Sequence, residues 1–111
     1  MTENVKDTIV KQLCAMLSRH GWYYELADKD STNNDADILS TNGRDLYMKV
    51  VTNPEKTDVE LCIDNGVNMF VVTDTSLKSL LTDKVYAVNP KIPVLLPDEA
   101  EPYVVKYKKQ E

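Results

Sequence analysis

The residues best placed to do chemistry are Asp37, which opens the segment Asp37-Ile38, and Lys49, which closes Tyr47-Met48-Lys49. If the two segments are neighbouring strands, a carboxylate and an ammonium come side by side. Such a pair can hold a divalent metal and activate a water for phosphodiester hydrolysis. That chemistry usually asks for a second carboxylate two residues before the lysine, and the residue there is Tyr47. The residues thus suggest a nuclease-type scaffold more firmly than a working nuclease.

Two hairpin registers can join the segments. A two-residue Asn42-Gly43 turn sets residue 37 opposite 48 and leaves Asp37 and Lys49 on opposite faces. A three-residue loop, Thr41-Asn42-Gly43 with Gly43 as the left-handed bulge residue, pairs 40 with 44, 37 with 47 and 35 with 49. In that register Ala36, Ile38, Leu46, Met48 and Val50 share one face, and Asp35, Asp37, Asp45, Tyr47 and Lys49 share the other. A one-residue slip would mix the two sets, so the bulged loop is expected.

The elements that must position this hairpin follow from pattern. Val5, Ile9, Leu13 and Leu17 recur every four residues beside Val10 and Met16, an amphipathic helix that Gly21 can stop. Trp22 to Leu26 reads as a strand, residues 28–34 as a polar loop, and 35–40 and 44–51 as the hairpin strands. Thr57-Asp58-Val59-Glu60 has capping-box spacing for a helix running to about Asn65 and stopping at Gly66. Residues 67–73 (VNMFVVT) read as a buried central strand. Thr75 to Asp83 is expected as a short helix and Val85 to Val88 as a strand. Ile92 to Leu96 is expected as a short edge strand, and Tyr103 to Tyr107 as a strand or docked tail. Prolines at 90, 93, 97 and 102 make residues 89–111 a Pro-rich, basic C-terminal extension of the same domain. A meander followed by a helical crossover predicts a single α/β domain, residues 1–111, with a mixed central sheet and helices on its faces.

Composition narrows the chemistry. The chain has 111 residues, 42% hydrophobic and 28% charged, enough for one core. No apolar run approaches the ~20 residues that span a bilayer, so no membrane partner is expected. The N-terminus opens on a polar, charged helix rather than a secretory signal, and Cys14 and Cys62 read as reduced core residues. The expected location is cytoplasmic. A net charge of −5 counts against extended binding to a phosphate backbone. It leaves room for a local basic groove at Lys106, Lys108 and Lys109.

One histidine, His20, and the lack of G-x-S-x-G leave little scope for a nucleophile–histidine pair. His20 is read as a helix C-terminal residue interacting with the helix dipole. Three glycines form no phosphate-cradling motif, and two cysteines with one histidine cannot make a structural zinc site. What remains is a carboxylate-plus-lysine site.

The predicted strand order and the D-I…Y-M-K pattern resemble the restriction-endonuclease-like (PD-(D/E)xK) superfamily, over roughly residues 3–88. The resemblance implies that Asp37 binds the metal, Mg²⁺ or Mn²⁺, and that Lys49 positions or polarises the attacking water. Tyr47 departs from the family's usual Glu or Asp. Some members supply that carboxylate from the following helix, which nominates Glu60 as catalytic and metal-binding, with Glu55 a weaker candidate. Glu3 or Asp7 would answer to an acidic residue in the first helix. Asp35 and Tyr47 are accessory candidates.

Each candidate also has a plainer reading. Glu60 can be the reciprocal member of the Thr57 capping box, and Asp35 and Asp37 solvated hairpin residues. Lys49 can pair with Asp35 across the strands. Trp22, Tyr23 and Tyr24 can stack on bases or belong to the core. Three functions stay open: a metal-dependent nuclease acting on nucleic acid; a catalytically degenerate copy serving as a protein-interaction or nucleic-acid-recognition module; and an acidic regulatory or inhibitory protein binding a basic partner surface. A homodimer is compatible with the first.

Overall fold

Helix α1 spans Val5–Arg19 and lays Ile9, Leu13, Met16 and Leu17 into the interior, the four-residue stripe predicted for it. Its end is built by Gly21 at φ 78°: Trp22 N–H donates to the Leu17 carbonyl and Gly21 N–H to that of Ser18. Both bonds need a residue in the left-handed region, which glycine enters without a Cβ clash. The computed structural model describes residues 5–27 and 35–108.

Strands β1 (Tyr23–Leu26), β2 (Ile38–Thr41) and β3 (Asp45–Val51) form an antiparallel meander. A short 3₁₀ turn (Pro54–Lys56) and helix α2 (Val59–Asp64) then lead to β4 (Met69–Val72), parallel to β3. Helix α3 (Thr75–Val88) returns the chain to β5 (Val94–Leu95), parallel to β4, and helix α4 (Pro97–Lys108) follows. The sheet order is β1-β2-β3-β4-β5. A Cα radius of gyration of 13.1 Å is close to the roughly 13 Å of a one-domain chain this long.

The two sheet faces carry separate cores. Met48, Val50, Met69 and Val71 pack with α1 and with Ala100 and Val104 of α4; Val51, Phe70 and Val72 pack with Cys62 of α2 and Leu81 and Val85 of α3. Every β4 side chain is buried, because that strand serves both cores, as its continuous apolar run predicts. Cys14 and Cys62 are buried free thiols in different cores.

The hairpin loop has three residues, as expected, but they are Asn42-Gly43-Arg44, closed by the Thr41–Asp45 pair. Residue 40 therefore faces 46, where the sequence had predicted 44. Ser40 is buried and its hydroxyl donates to the Leu46 carbonyl at 2.5 Å, and Gly43 has φ 78°. A shift of two residues preserves which side chains share a face, so the sorting survives with one exception. Ala36 packs with the Val51–Phe70 core rather than beside Ile38. The ladder is irregular at this point: Asp37 N–H donates to the Met48 carbonyl, and the Asp37 carboxylate takes the Val50 N–H.

Two other expectations are corrected. Val85 to Val88 is the last turn of α3, not a strand. Leu77, Leu81 and Val85, four residues apart, all pack on one core, and that burial outweighs the β-branched residues' strand preference. Tyr103 to Tyr107 is helical within α4. Pro97 occupies its first position, and Glu99 reaches back to accept the Leu96 N–H at 2.9 Å. Proline is suited to a first helical turn, so here it starts an element where the run of prolines alone predicts irregular chain.

Candidate functional site

Lys49 sits in the middle of β3, between β2 and β4, with Phe70 as its neighbour in register. It is only 3% exposed. Its Nζ lies 3.7 Å from Asp37 Oδ2, and a second ammonium, Lys6 at the start of α1, lies 3.0 Å from Asp37 Oδ1. The Val50 N–H donates to Asp37 Oδ2 at 2.8 Å. One carboxylate is thus held by two lysines and a strand amide. Burial pushes the Lys49 ammonium below the ordinary lysine range; Asp37 pulls it back up, and Lys6 adds to the lowering.

The structure brings Asp37 and Lys49 together, as the sequence predicts. Asp58, not Thr57, caps α2: its Oδ1 accepts the Leu61 N–H at 3.1 Å. Thr57 instead closes the preceding turn, its N–H on the Pro54 carbonyl and its hydroxyl on that of Asn53. Glu60 therefore lies one residue short of the position a capping box requires, and its side chain is exposed. Asp35 accepts from the Asn65 amide at 3.2 Å. Glu55 and Asp7 are exposed on their own elements. Glu3 and Lys109 lie outside the described residues.

Tyr47 has a structural role. Gly66, at φ 102°, ends α2, and a Cβ there would stand 3.2 Å from Tyr47 Cδ2. Asn68 fixes the same stretch: it accepts the Tyr47 N–H at 2.8 Å and donates to the Asp45 carbonyl at 3.0 Å. The position at which the metal chemistry would want a carboxylate thus carries an aromatic ring that packs on the end of α2.

Two participants escaped the sequence reading. Lys6 belongs to no motif, and its reach depends on how the first turn of α1 overhangs the sheet. Cys62 is wholly buried next to the pair. Burial raises its thiol above the ordinary range, Lys49 lowers it, and the carboxylates of Asp58, Asp37 and Asp35 raise it further. Of these, Asp58 stands one helical turn before Cys62, at the cap of α2.

A Mg²⁺ or Mn²⁺ ion fits these residues poorly. Such ions want an octahedral shell of oxygens, normally with one or two free carboxylates. Here the carboxylate is occupied by two ammonium groups. Among the described residues, no three His, Cys, Asp or Glu side chains are grouped to share an ion.

Of the aromatic residues considered for base stacking, Trp22 is core, 4% exposed, with its indole N–H unpaired among the described residues. Tyr24 is half-exposed and bonds Cys14 through its side chain. Tyr23 is 77% exposed. His20 does more than meet the α1 dipole: its Nε2 is 2.7 Å from Glu101 Oε2, which Arg19 also reaches at 3.1 Å. An open groove beside this cluster, lined by Gln12, Met16, Pro97 and Asp98, lies between α1 and α4, on the other side of the sheet from Lys49.

Fold and site together define an α/β domain with a five-stranded mixed sheet and a lysine–carboxylate–lysine cluster where Asp37, just before β2, meets Lys49 of β3 and Lys6 of α1. Comparison with protein-family models, with curated proteins and with solved structures returned no match. No helix of the described residues is long and apolar enough to cross a membrane.

Proposed function

We propose that this is a restriction-endonuclease-like domain that has lost its metal chemistry and works as a binding module for another protein, in the cytoplasm. The observation that carries the reading is the occupation of Asp37. Lys6 at 3.0 Å supplies the positive charge that a divalent ion would otherwise bring, and Tyr47 stands where a second carboxylate would be needed, its ring packed on the end of α2. The meander, the α2 crossover and the parallel β4 support the scaffold assignment. The net charge of −5 favours a protein partner over nucleic acid.

A second reading, the active nuclease, draws on one observation, the nearness of the Lys49 ammonium to Asp37. It requires Lys6 to leave the carboxylate. One assay separates the two: labelled single-stranded, duplex and branched DNA, and RNA, incubated with Mn²⁺ and wild-type protein, Asp37→Ala or Lys49→Ala. The binding-module reading expects no cleavage by any of the three. Cleavage by wild type that both substitutions abolish would overturn it.

A further inference from the structure

Strand β1 ends the sheet, and among the described residues its hydrogen-bonding edge is open. Ala27 N–H donates to the Asp37 carbonyl, and residues 23, 25 and 27 share that ladder phase because bonded and non-bonded pairs alternate along an antiparallel strand. Tyr24 and Leu26 therefore turn their N–H and C=O groups away from β2, where they have no partner among the described residues. All four β1 side chains are exposed, Leu26 at 56%. Tyr23 and Glu25 share their sheet face with Leu39 and Thr41, also exposed. An edge of this kind is a template for another strand.

The charge on the edge selects the occupant. A second copy that used both outward residues would pair Tyr24 with the other chain's Leu26 and set Glu25 directly opposite Glu25. Like charges at that separation repel, and each chain carries a further net negative charge. Neither β1 nor β2 contains a lysine or arginine to relieve it. An incoming strand with a basic residue opposite Glu25 instead gains an ion pair between two backbone-bonded positions. We infer that β1 takes up an extended segment of a basic partner protein, added as a sixth strand and registered by a lysine or arginine against Glu25. This rests on the binding-module reading and names its partner class.

The probe is a fluorescein-labelled peptide, acetyl-Val-Thr-Val-Lys-Val-Thr-Val amide, titrated with the full chain by fluorescence anisotropy. A peptide with Glu in place of Lys, and one N-methylated at the two valines flanking the lysine, serve as controls. The Lys peptide is expected to bind at least about tenfold more tightly than either, since each control loses a charge pair or two backbone bonds. In Glu25→Lys the preference is expected to reverse toward the Glu peptide. Equal binding of the N-methylated peptide, an unchanged preference in Glu25→Lys, or no saturable binding of the Lys peptide up to about 1 mM would each overturn the proposal. So would a wild-type dimer in sedimentation that Leu26→Pro converts to monomer, since the edge would then belong to a second copy. These outcomes leave the binding-module reading standing; only Asp37-dependent cleavage removes that.

Discussion

Lys49 Nζ stands 3.7 Å from Asp37 Oδ2, with the lysine buried and the aspartate keeping partial contact with solvent. That asymmetry gives the two residues unequal roles in stability. Asp37→Asn leaves a buried ammonium without its carboxylate and should cost about 3 kcal/mol, the low end for breaking a buried pair, because Asp37 is not fully enclosed. Lys49→Met fills the same space with an apolar chain and leaves Asp37 with Lys6 and the Val50 amide; it should change stability by less than about 1 kcal/mol or raise it. Urea unfolding of the two variants checks the order, and equal losses would refute it.

The lowered Lys49 pKa adds a pH signature. Since burial disfavours the charged form in the fold, the unfolded chain binds more protons than the native one between the depressed value and the ordinary lysine value. Stability contributed by this group therefore rises as pH rises through that window. Unfolding free energies measured from about pH 7 to pH 10 should climb more steeply in wild type than in Lys49→Met. Parallel curves would show that Lys49 carries no burial penalty.

The hairpin was legible because alternation and the Asn42-Gly43 signal constrain which residues share a face, even though the loop is displaced by one residue. That parity alone brings Asp37 and Lys49 together. The third member of the cluster was not legible, since Lys6 reaches Asp37 only through the way α1 crosses the sheet end, and no local spacing encodes such a crossing. The start of α2 differs from the Thr57 capping box for a related reason. Two candidate caps stand side by side, and the Thr57 hydroxyl is engaged by the turn before it, which leaves the cap to Asp58. In the C-terminal third the signals were present but outvoted: Leu77, Leu81 and Val85 already carry a four-residue spacing, and Leu96-Pro97-Asp98-Glu99 already describes a helix start.

The length of α3 can be tested at Lys84, an exposed position in its interior. A proline there removes a helical hydrogen bond and clashes with the preceding turn, at a cost of about 3 kcal/mol. If residues 85–88 formed a separate strand, position 84 would be a connection and proline nearly neutral. Thermal or urea unfolding of Lys84→Pro distinguishes the two arrangements.

Glycines 43 and 66 both have positive φ but differ in surroundings. A Cβ at Gly43 meets nothing within 4 Å, so Gly43→Ala should cost only the backbone strain, about 1 kcal/mol. Gly66→Ala adds a 3.2 Å approach to the Tyr47 ring and should cost more, about 2 kcal/mol. The excess should shrink in Gly66→Ala/Tyr47→Leu, which a double-mutant cycle measures. Equal costs at the two glycines would mean that the Tyr47 ring yields freely.

Acid sensitivity should concentrate on α4. The Leu96 N–H, then the Lys78 ammonium, hold the Glu99 carboxyl below its ordinary pKa, and His20, then Arg19, do the same for Glu101. A carboxylate with a depressed folded pKa contributes stability that is complete above its unfolded value and lost as pH falls through the folded one. Both groups are solvent-exposed, so each contribution is small and weakened by salt. The expected result is a loosening of the first turn of α4 at acid pH, where Glu99 meets Lys78 of α3 and Glu101 meets Arg19 and His20, read by amide exchange at Glu99 and along that turn. Glu99→Gln should reproduce much of that loosening at neutral pH, since a neutral side chain still accepts the Leu96 N–H but no longer attracts Lys78. If α4 exchange in Glu99→Gln matches wild type at neutral pH and both respond equally to acid, the charge on Glu99 has no part in holding the helix.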